Sequence, residues 1–329
     1  MSAPSVDEVD PATGPPGPPA VIQRSEWRSR LTRFDMKYAP YFMIAPFFIV
    51  FGFFGLFPLL YNGVVSLQRY RLDDESSNGW TGLDNYSLLF SDSEFWMALR
   101  NTFGLFLFSS MPQMLAALFL AAALNRQLRA RTLLRMGVLL PYITPIAATA
   151  VIFNQIFAKE YGLVNALLGW MGKESRQDWG ADTWSSWLAL IVQIDWRWTG
   201  YWAVIFLAAM QSISKDLYEA ATVDGAGPWR QFWQITVPMI RPAIVFAMVM
   251  TTIGGLQLFT EPLLFGDNVA NAYGGSLHQF ETISLYIYRT GWLEYDLGYA
   301  AAMSWALFVI IVVVAGINAA LTNRIGGRK

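Results

Sequence analysis

"EAATVDGAGPWRQFWQITVP", residues Glu219 to Pro238, lies between two long apolar runs of a chain of 329 residues. It opens as a good helix former, meets Asp224-Gly225, and resumes with aromatics at helical spacing. Just upstream, Ser214 is placed to cap the first helix, and Asp216 in the first turn favours the helix dipole. Gly225 can take positive φ and stop that helix, and Pro228 suits the first turn of the next. Trp229, Phe232, Trp233 and Thr236 then fall at three- and four-residue spacings, one apolar-aromatic stripe. The spacing predicts a short helical elbow, too polar to cross a bilayer. The apolar runs on either side decide what it serves.

The composition is 54% hydrophobic and 14% charged. Several apolar runs exceed the roughly 20 residues that cross about 30 Å of hydrocarbon. They lie near 39–67, 98–124, 136–157, 186–212, 236–264 and 298–322, which predicts an all-α integral membrane protein with six transmembrane helices. The first run is too long for a signal-peptide core and has no clear small-residue cleavage site, so it reads as a retained span. There are no cysteines, which excludes disulfides, iron–sulfur clusters and thiol nucleophiles. Residues 1–23, rich in Pro and Gly, read as a disordered tail. The tail and the basic segment after it fill 1–37. The membrane region takes 38–323, with the elbow at 214–238, and a short C-terminus takes 324–329.

Basic residues favour the cytoplasmic side of short loops. With both termini cytoplasmic, Arg24, Arg28, Arg30, Arg33 and Lys37 precede the first span. Arg126, Arg129, Arg131 and Arg135 fill the second cytoplasmic loop, and Lys215, Arg230 and Arg241 flank the elbow. Arg324, Arg328 and Lys329 end the chain on the same side. The opposite segments hold fewer basic residues and more acids. The elbow is therefore expected in the cytoplasm of a bacterial cell, against the plasma membrane.

The pattern Glu219-Ala220-Ala221, then Gly225, Ile235, Val237 and Pro238, resembles the EAA loop of ABC importer permeases. The family usually has Leu where Val237 stands. Asp224-Gly225-Ala226 and Pro242 are similar to the carbohydrate-importer branch, and Gly82, Asn85, Tyr86, Phe95, Trp96, Asn101 and Thr102 match the pattern after the first span of maltose-type permeases. The resemblance covers about residues 40–322. It implies that Glu219, Ala220, Ala221, Asp224 and Gly225 form a coupling helix that docks on a cytoplasmic ATPase. It also implies a second homologous permease, two ATPase subunits carrying ATP and Mg²⁺, and an extracellular solute-binding protein. This chain would hold no cofactor of its own and would contact membrane lipid and sugar, with no nucleic acid.

The chain has no GxxxxGK[ST] phosphate loop, so ATP hydrolysis falls to another subunit. His278 is the only histidine, placed in an external loop, and reads as a surface residue; no catalytic constellation and no His/Cys metal cluster is expected. An integral-membrane enzyme is therefore the weaker alternative, and a channel would leave the EAA pattern unexplained; a permease for an amino acid, a polyol or glycerol phosphate is the runner-up within transport, although amino-acid and phosphate permeases usually match a different pattern around the loop.

Charge inside a membrane is costly and usually faces a protein interior or wet cavity. Asp195 and Arg197 lie near the middle of the fourth run, two positions apart and so on different faces, with Thr199 in reach of Asp195. Trp198 and Tyr201 stand beside them. In the fifth run, Gln257, Thr260 and Glu261 follow Gly254-Gly255 at i, i+3 and i+4, the spacing of one helical face. Aromatic platforms beside polar groups suit the apolar faces and hydroxyls of sugars. By resemblance, Trp198, Tyr201, Gln257 and Thr260 fall at sugar-lining positions. Asp195, Arg197, Trp198, Tyr201, Gln257, Thr260 and Glu261 are thus the candidate substrate site, and a neutral di- or oligosaccharide, of cellobiose type, the candidate cargo.

Overall fold

The structure is a computed structural model that describes residues 26–126, 130–172, 176–266 and 273–326. The expected tail, 1–23, lies outside the described residues. Two compact units divide at Leu60 and Tyr61.

In the first unit, α1 (Glu26–Phe51) continues through a π-helical turn at Gly52–Leu56 into α2 (Phe57–Val65), which runs past the division. The basic segment assigned to the tail is helical from Glu26, the first described residue. Side chains such as Phe42, Met43 and Phe54 are exposed, as suits a helix whose solvent is lipid tail.

After the end of α2, the second unit holds a pair of two-residue strands, β1 (Gln68–Arg69) antiparallel to β2 (Gly79–Trp80), then α3 (Asp84–Ser91) and α4 (Ser93–Asn125). There follow α5 (Arg131–Ile143), α6 (Ile146–Ile156), α7 (Leu163–Trp170) and α8 (Thr183–Gln211). The elbow supplies α9 (Lys215–Val223), α10 (Pro228–Gln231) and α11 (Val237–Met239), joined by a π turn, and leads to α12 (Arg241–Leu256). The chain ends through α13 (Thr260–Leu264), α14 (Ile283–Tyr288) and α15 (Leu297–Gly326).

Among the described residues, three helices are long and apolar enough to span a membrane: Tyr38–Val65, Ser93–Asn125 and Leu297–Asn318. Two bent pairs, Thr132–Ile143 with Ile146–Ile156 and Pro228–Met239 with Arg241–Leu256, bring the number to five. The remaining expected stretch is α8, 29 residues long but interrupted by Gln193, Asp195 and Arg197.

The bends have local causes. Pro145 cannot continue the ladder of α5 and pushes Thr144 to extended backbone (ψ 133°), so α5 and α6 meet at 90°. Ile240 leaves the helical region just before Pro242, and the helix turns by 68° there. The third expected run is therefore two helices.

α4 and α8 form the centre of this unit. Ala117, Ala121 and Ala203 are fully buried between larger residues such as Phe206 and Leu207, and small side chains let the helices approach closely. Gly200 is the limiting case: an added Cβ would stand 1.8 Å from the Val138 carbonyl oxygen of α5. A second cluster gathers Leu105, Trp187 and Leu190, and a third joins Phe95, Leu256, Tyr299 and Met303 from α4, α12 and α15.

The residues matching the pattern after the first span act as pins. Asn85 donates to the Ser66 and Gln68 carbonyls (3.0 and 2.9 Å), and Tyr86 shares a 2.8 Å hydrogen bond with Ser66. Asn101 donates to the carbonyls of His278 (2.9 Å) and Glu281 (3.1 Å), while the Thr102 hydroxyl accepts from Ile283 N–H (2.8 Å). The segment 278–283 is thereby bolted to α4.

Candidate functional site

A cavity of about 300 Å³ opens where α4, α8, α12 and α13 converge. From α8 it takes Arg197, Trp198 and Trp202, and from beyond α12 it takes Gln257, Thr260 and Glu261. Five of the seven candidate substrate residues therefore line one chamber.

The reason differs from the helical-face argument. α12 ends at Leu256, and Gln257 (φ −103°, ψ 16°) and Phe259 (φ −133°) leave the helix before α13 starts at Thr260. Gln257, Thr260 and Glu261 do not share a helical face. They converge because the break turns the chain into the cavity. Gly255 sits against Phe106 of α4, where an added Cβ would come within 2.6 Å, so close approach at that glycine brings the break up to α4.

The other two candidates are placed differently. Asp195 does not pair with Thr199; its carboxylate accepts from Ser109 (2.7 Å) and from Gln113 (3.5 Å) of α4. Those two partners line the chamber. Tyr201 turns away from it and stacks on Tyr142 of α5, with ring centroids 4.6 Å apart. Trp198 bridges the two settings, 5.2 Å from the Tyr142 ring while still lining the cavity.

The sequence reading missed the α4 wall. Ser109, Ser110 and Gln113 interrupt the otherwise apolar stretch 103–124, and Ser109 and Gln113 are spaced to share a face. That polar stripe was a usable signal. Thr251 also lines the chamber, and its hydroxyl has no hydrogen-bond partner among the described residues. Chemically, the chamber offers indole faces with hydroxyl, amide, guanidinium and carboxylate groups around them.

The elbow is rigid. Ser214 caps α9 by accepting from Asp216 N–H (3.3 Å), and α9 ends at Asp224 with Gly225 at φ +78°. Gln231 donates to the Ala226 carbonyl (2.8 Å) and the Thr222 hydroxyl (2.9 Å), and Tyr218 shares a hydrogen bond with Thr236 (2.9 Å). Trp229, Phe232 and Trp233 pack around Phe119 of α4. No residue of α9 is buried: Glu219, Ala220, Asp224 and Gly225 are exposed, and Val223 is 88% exposed. The elbow joins α8 directly to α12, so a push on it reaches two walls of the chamber through the chain itself.

His278 is not a plain surface residue. It pairs with buried Glu281 (2.7 Å), and Glu94, His278 and Glu281 bring ligand-type atoms within 4.8 Å of one another. Arg289 supplies the positive charge there, 3.1 Å from Glu281 and 3.5 Å from Glu294, with Glu94 as a further partner. Its guanidinium also lies over the rings of Tyr273 and Tyr286. Burial pushes the Glu281 carboxyl up to about 8, against the pull of Arg289. Burial also pushes Asp92 upward, but hydrogen bonds from Tyr286 and Tyr299, 2.6 Å each, outweigh it and hold that carboxyl below its usual range.

Residues 113–327 match the family model described as "Binding-protein-dependent transport system inner membrane component". The arabinooligosaccharides transport system permease protein AraP of Halalkalibacterium halodurans is 32% identical over 291 residues, covering 87% of this chain and 89% of that one. The lactose transport system permease protein LacF of Rhizobium radiobacter is 34% identical over 276 residues, covering 83% and 90%. Among solved structures, a bacterial ABC transporter involved in the import of the acidic polysaccharide alginate superposes with a TM-score of 0.76 at 26% identity, covering 90% of this chain and 99% of that one. With its apolar helices, its elbow and its chamber, the chain belongs to the binding-protein-dependent transport system inner membrane components, and it is an ABC importer permease rather than an enzyme.

Proposed function

We propose that this permease conducts a carbohydrate, a di- or oligosaccharide, through the chamber between α4, α8 and the α12–α13 break. The observation that carries the reading is the convergence of Trp198 and Trp202 with Gln113, Gln257 and Thr260 on one cavity. Indole faces cover the apolar C–H side of a pyranose while the polar groups exchange hydrogen bonds with its hydroxyls. Permeases named for arabinooligosaccharides and for lactose support the cargo class.

In this reading both termini and the elbow are cytoplasmic. The exposed face of α9, with Glu219 and Val223, docks on an ATPase subunit, and two such subunits hold the ATP and Mg²⁺. A second, homologous permease completes the pathway, and an external binding protein delivers the sugar. ATP-driven movement of the docked subunit displaces the elbow and, through α8 and α12, changes which side of the chamber is open.

The test is uptake by the complete transporter in proteoliposomes, with labelled cellobiose, lactose and arabinobiose beside labelled amino acids. ATP-dependent entry of a sugar, undiminished by excess amino acid, is the expected result. Entry of amino acids alone would overturn the reading.

A further inference from the structure

One carboxyl oxygen of α8 holds two polar groups of the α4 wall from behind. Ser109 and Gln113 stand one turn apart on α4, and both line the chamber, whereas Asp195 lies outside its described lining. The Ser109 hydroxyl donates to Asp195 Oδ1 at 2.7 Å, and the Gln113 amide nitrogen reaches the same oxygen at 3.5 Å. Among the described residues no ion pair reaches Asp195. Arg197, two positions on, instead donates through Nη1 to the Thr144 carbonyl at 2.6 Å, at the bend between α5 and α6. Nor does packing need the carboxyl. The same two helices already interlock through Ala117, Ala121 and Ala203, and Trp187 of α8 lies so close over Gly104 of α4 that an added Cβ would stand 2.0 Å from its ring. A leucine would join the helices at less cost than a buried carboxyl, so the contact is explained by what it does to Ser109 and Gln113.

Resting on the reading of this cavity as a sugar chamber, we propose that Asp195 is a positioning residue: it turns the α4 wall into an acceptor of hydrogen bonds from the cargo. A serine hydroxyl has one hydrogen and two acceptor lone pairs. With that hydrogen committed to Asp195, Ser109 meets a sugar with lone pairs alone. Gln113 is turned likewise, because its amide oxygen would be repelled by Oδ1; the nitrogen faces Asp195 and the carbonyl oxygen faces away. Both bonds end on Oδ1, so the orientation holds whether or not Oδ2 carries a proton. Arg197, which also lines the chamber, has donors and no acceptor. Sugar hydroxyls must therefore donate toward α4 and accept from Arg197, which fixes how the cargo is presented. Groups oriented in advance lose less freedom on binding than free rotors, so the clamp acts on affinity.

The experiment measures uptake of labelled cellobiose, lactose and arabinobiose by the complete transporter in proteoliposomes, with melting curves on the same preparations. Asp195→Leu should raise the uptake constant about fivefold and keep the maximal rate. Asp195→Asn, whose Oδ1 accepts in the same place, should restore most of that loss. On a Ser109→Ala, Gln113→Ala background, Asp195→Leu should add less than about twofold, because the carboxyl acts only through those two side chains. Monodeoxyfluoro analogues of the transported sugar, which lack the hydroxyl donor, then compete for uptake. At the hydroxyl that meets α4, fluorine should weaken competition about fivefold in wild type, and that penalty should vanish in Ser109→Ala. The fluorine comparison needs only wild type and Ser109→Ala, so it decides the matter even where Asp195→Leu does not assemble. An unchanged uptake constant in an assembled Asp195→Leu, Asn as damaging as Leu, the full loss persisting on the double-alanine background, or a fluorine penalty untouched by Ser109→Ala overturns the positioning role. Sugar uptake indifferent to both Trp198→Ala and Gln257→Ala overturns instead the chamber reading beneath it.

Discussion

Thr282 Oγ1 donates to the Leu258 carbonyl across 2.7 Å, inside the protein. The carbonyl belongs to the break between α12 and α13, where the helical ladder stops, and the threonine caps α14. One hydroxyl thus joins the segment pinned by Asn101 and Thr102 to the wall of the chamber. Thr282→Val preserves shape but leaves a buried carbonyl unpaired, a cost of about 1–3 kcal/mol. The purified permease should melt several degrees lower, with Thr282→Ser restoring most of the loss. Identical melting of wild type and Thr282→Val would refute the role.

The Glu281 knot predicts a pH dependence of stability. Burial pushes its carboxyl up to about 8, from an ordinary value of 4.5. A group raised on folding contributes stability that is complete below its unfolded value and lost as pH rises through the folded one. Melting temperature should therefore fall between about pH 5 and pH 8. Glu281→Gln should flatten that slope. An unchanged slope in this variant would show that other groups set it.

Gly225 tests the elbow. Nothing lies within 4 Å of a Cβ added there, so substitution meets no steric neighbour and the penalty comes from φ +78° alone. A β-branched residue is a genuine outlier in that region, whereas Asn enters it more readily. Gly225→Val should insert in the membrane, lose co-purification with the ATPase and abolish uptake, while Gly225→Asn keeps both. Normal co-purification and uptake in Gly225→Val would sink the coupling assignment.

The elbow was legible in the sequence because caps, glycine and proline act locally: Ser214, Gly225 and Pro228 each govern the backbone within one turn. The chamber was legible in its residues but not in its geometry. Gln257, Thr260 and Glu261 read as one helical face because hydropathy continues unbroken through the run, while the break at Gln257 depends on packing against α4 and on the Thr282 hydrogen bond. Tyr201 has the composition of a sugar platform, yet Tyr142, 59 positions earlier by 201 − 142, takes its face. His278 joined Glu94 and Arg289 only through long-range folding, which no local spacing reports.

The placement of Tyr201 separates two kinds of aromatic on α8. Trp198 lines the chamber, whereas Tyr201 stacks on Tyr142 outside it, so truncating each should have different consequences. A sugar contact contributes about 1 kcal/mol, as ordinary hydrogen bonds do, and its loss weakens a site about fivefold. Gln257→Ala should raise the uptake constant several-fold with little change in melting, and Trp198→Ala should raise it several-fold while also lowering melting, because its ring packs on Tyr142 and on two core clusters. Tyr201→Ala should instead lower melting, because it removes a stacked pair that contributes about 0.5–1.5 kcal/mol beyond its area, and should leave the uptake constant unmoved. Leu256→Ala supplies the scale for a purely structural loss: the residue is fully buried against the third core cluster, and leucine truncations of that kind cost about 2–5 kcal/mol. Uptake kinetics and melting curves on the same four preparations decide the matter. If Tyr201→Ala shifts the uptake constant as far as Trp198→Ala does, the sugar path runs along the Tyr142 side of α8 and not through the cavity at Gln257.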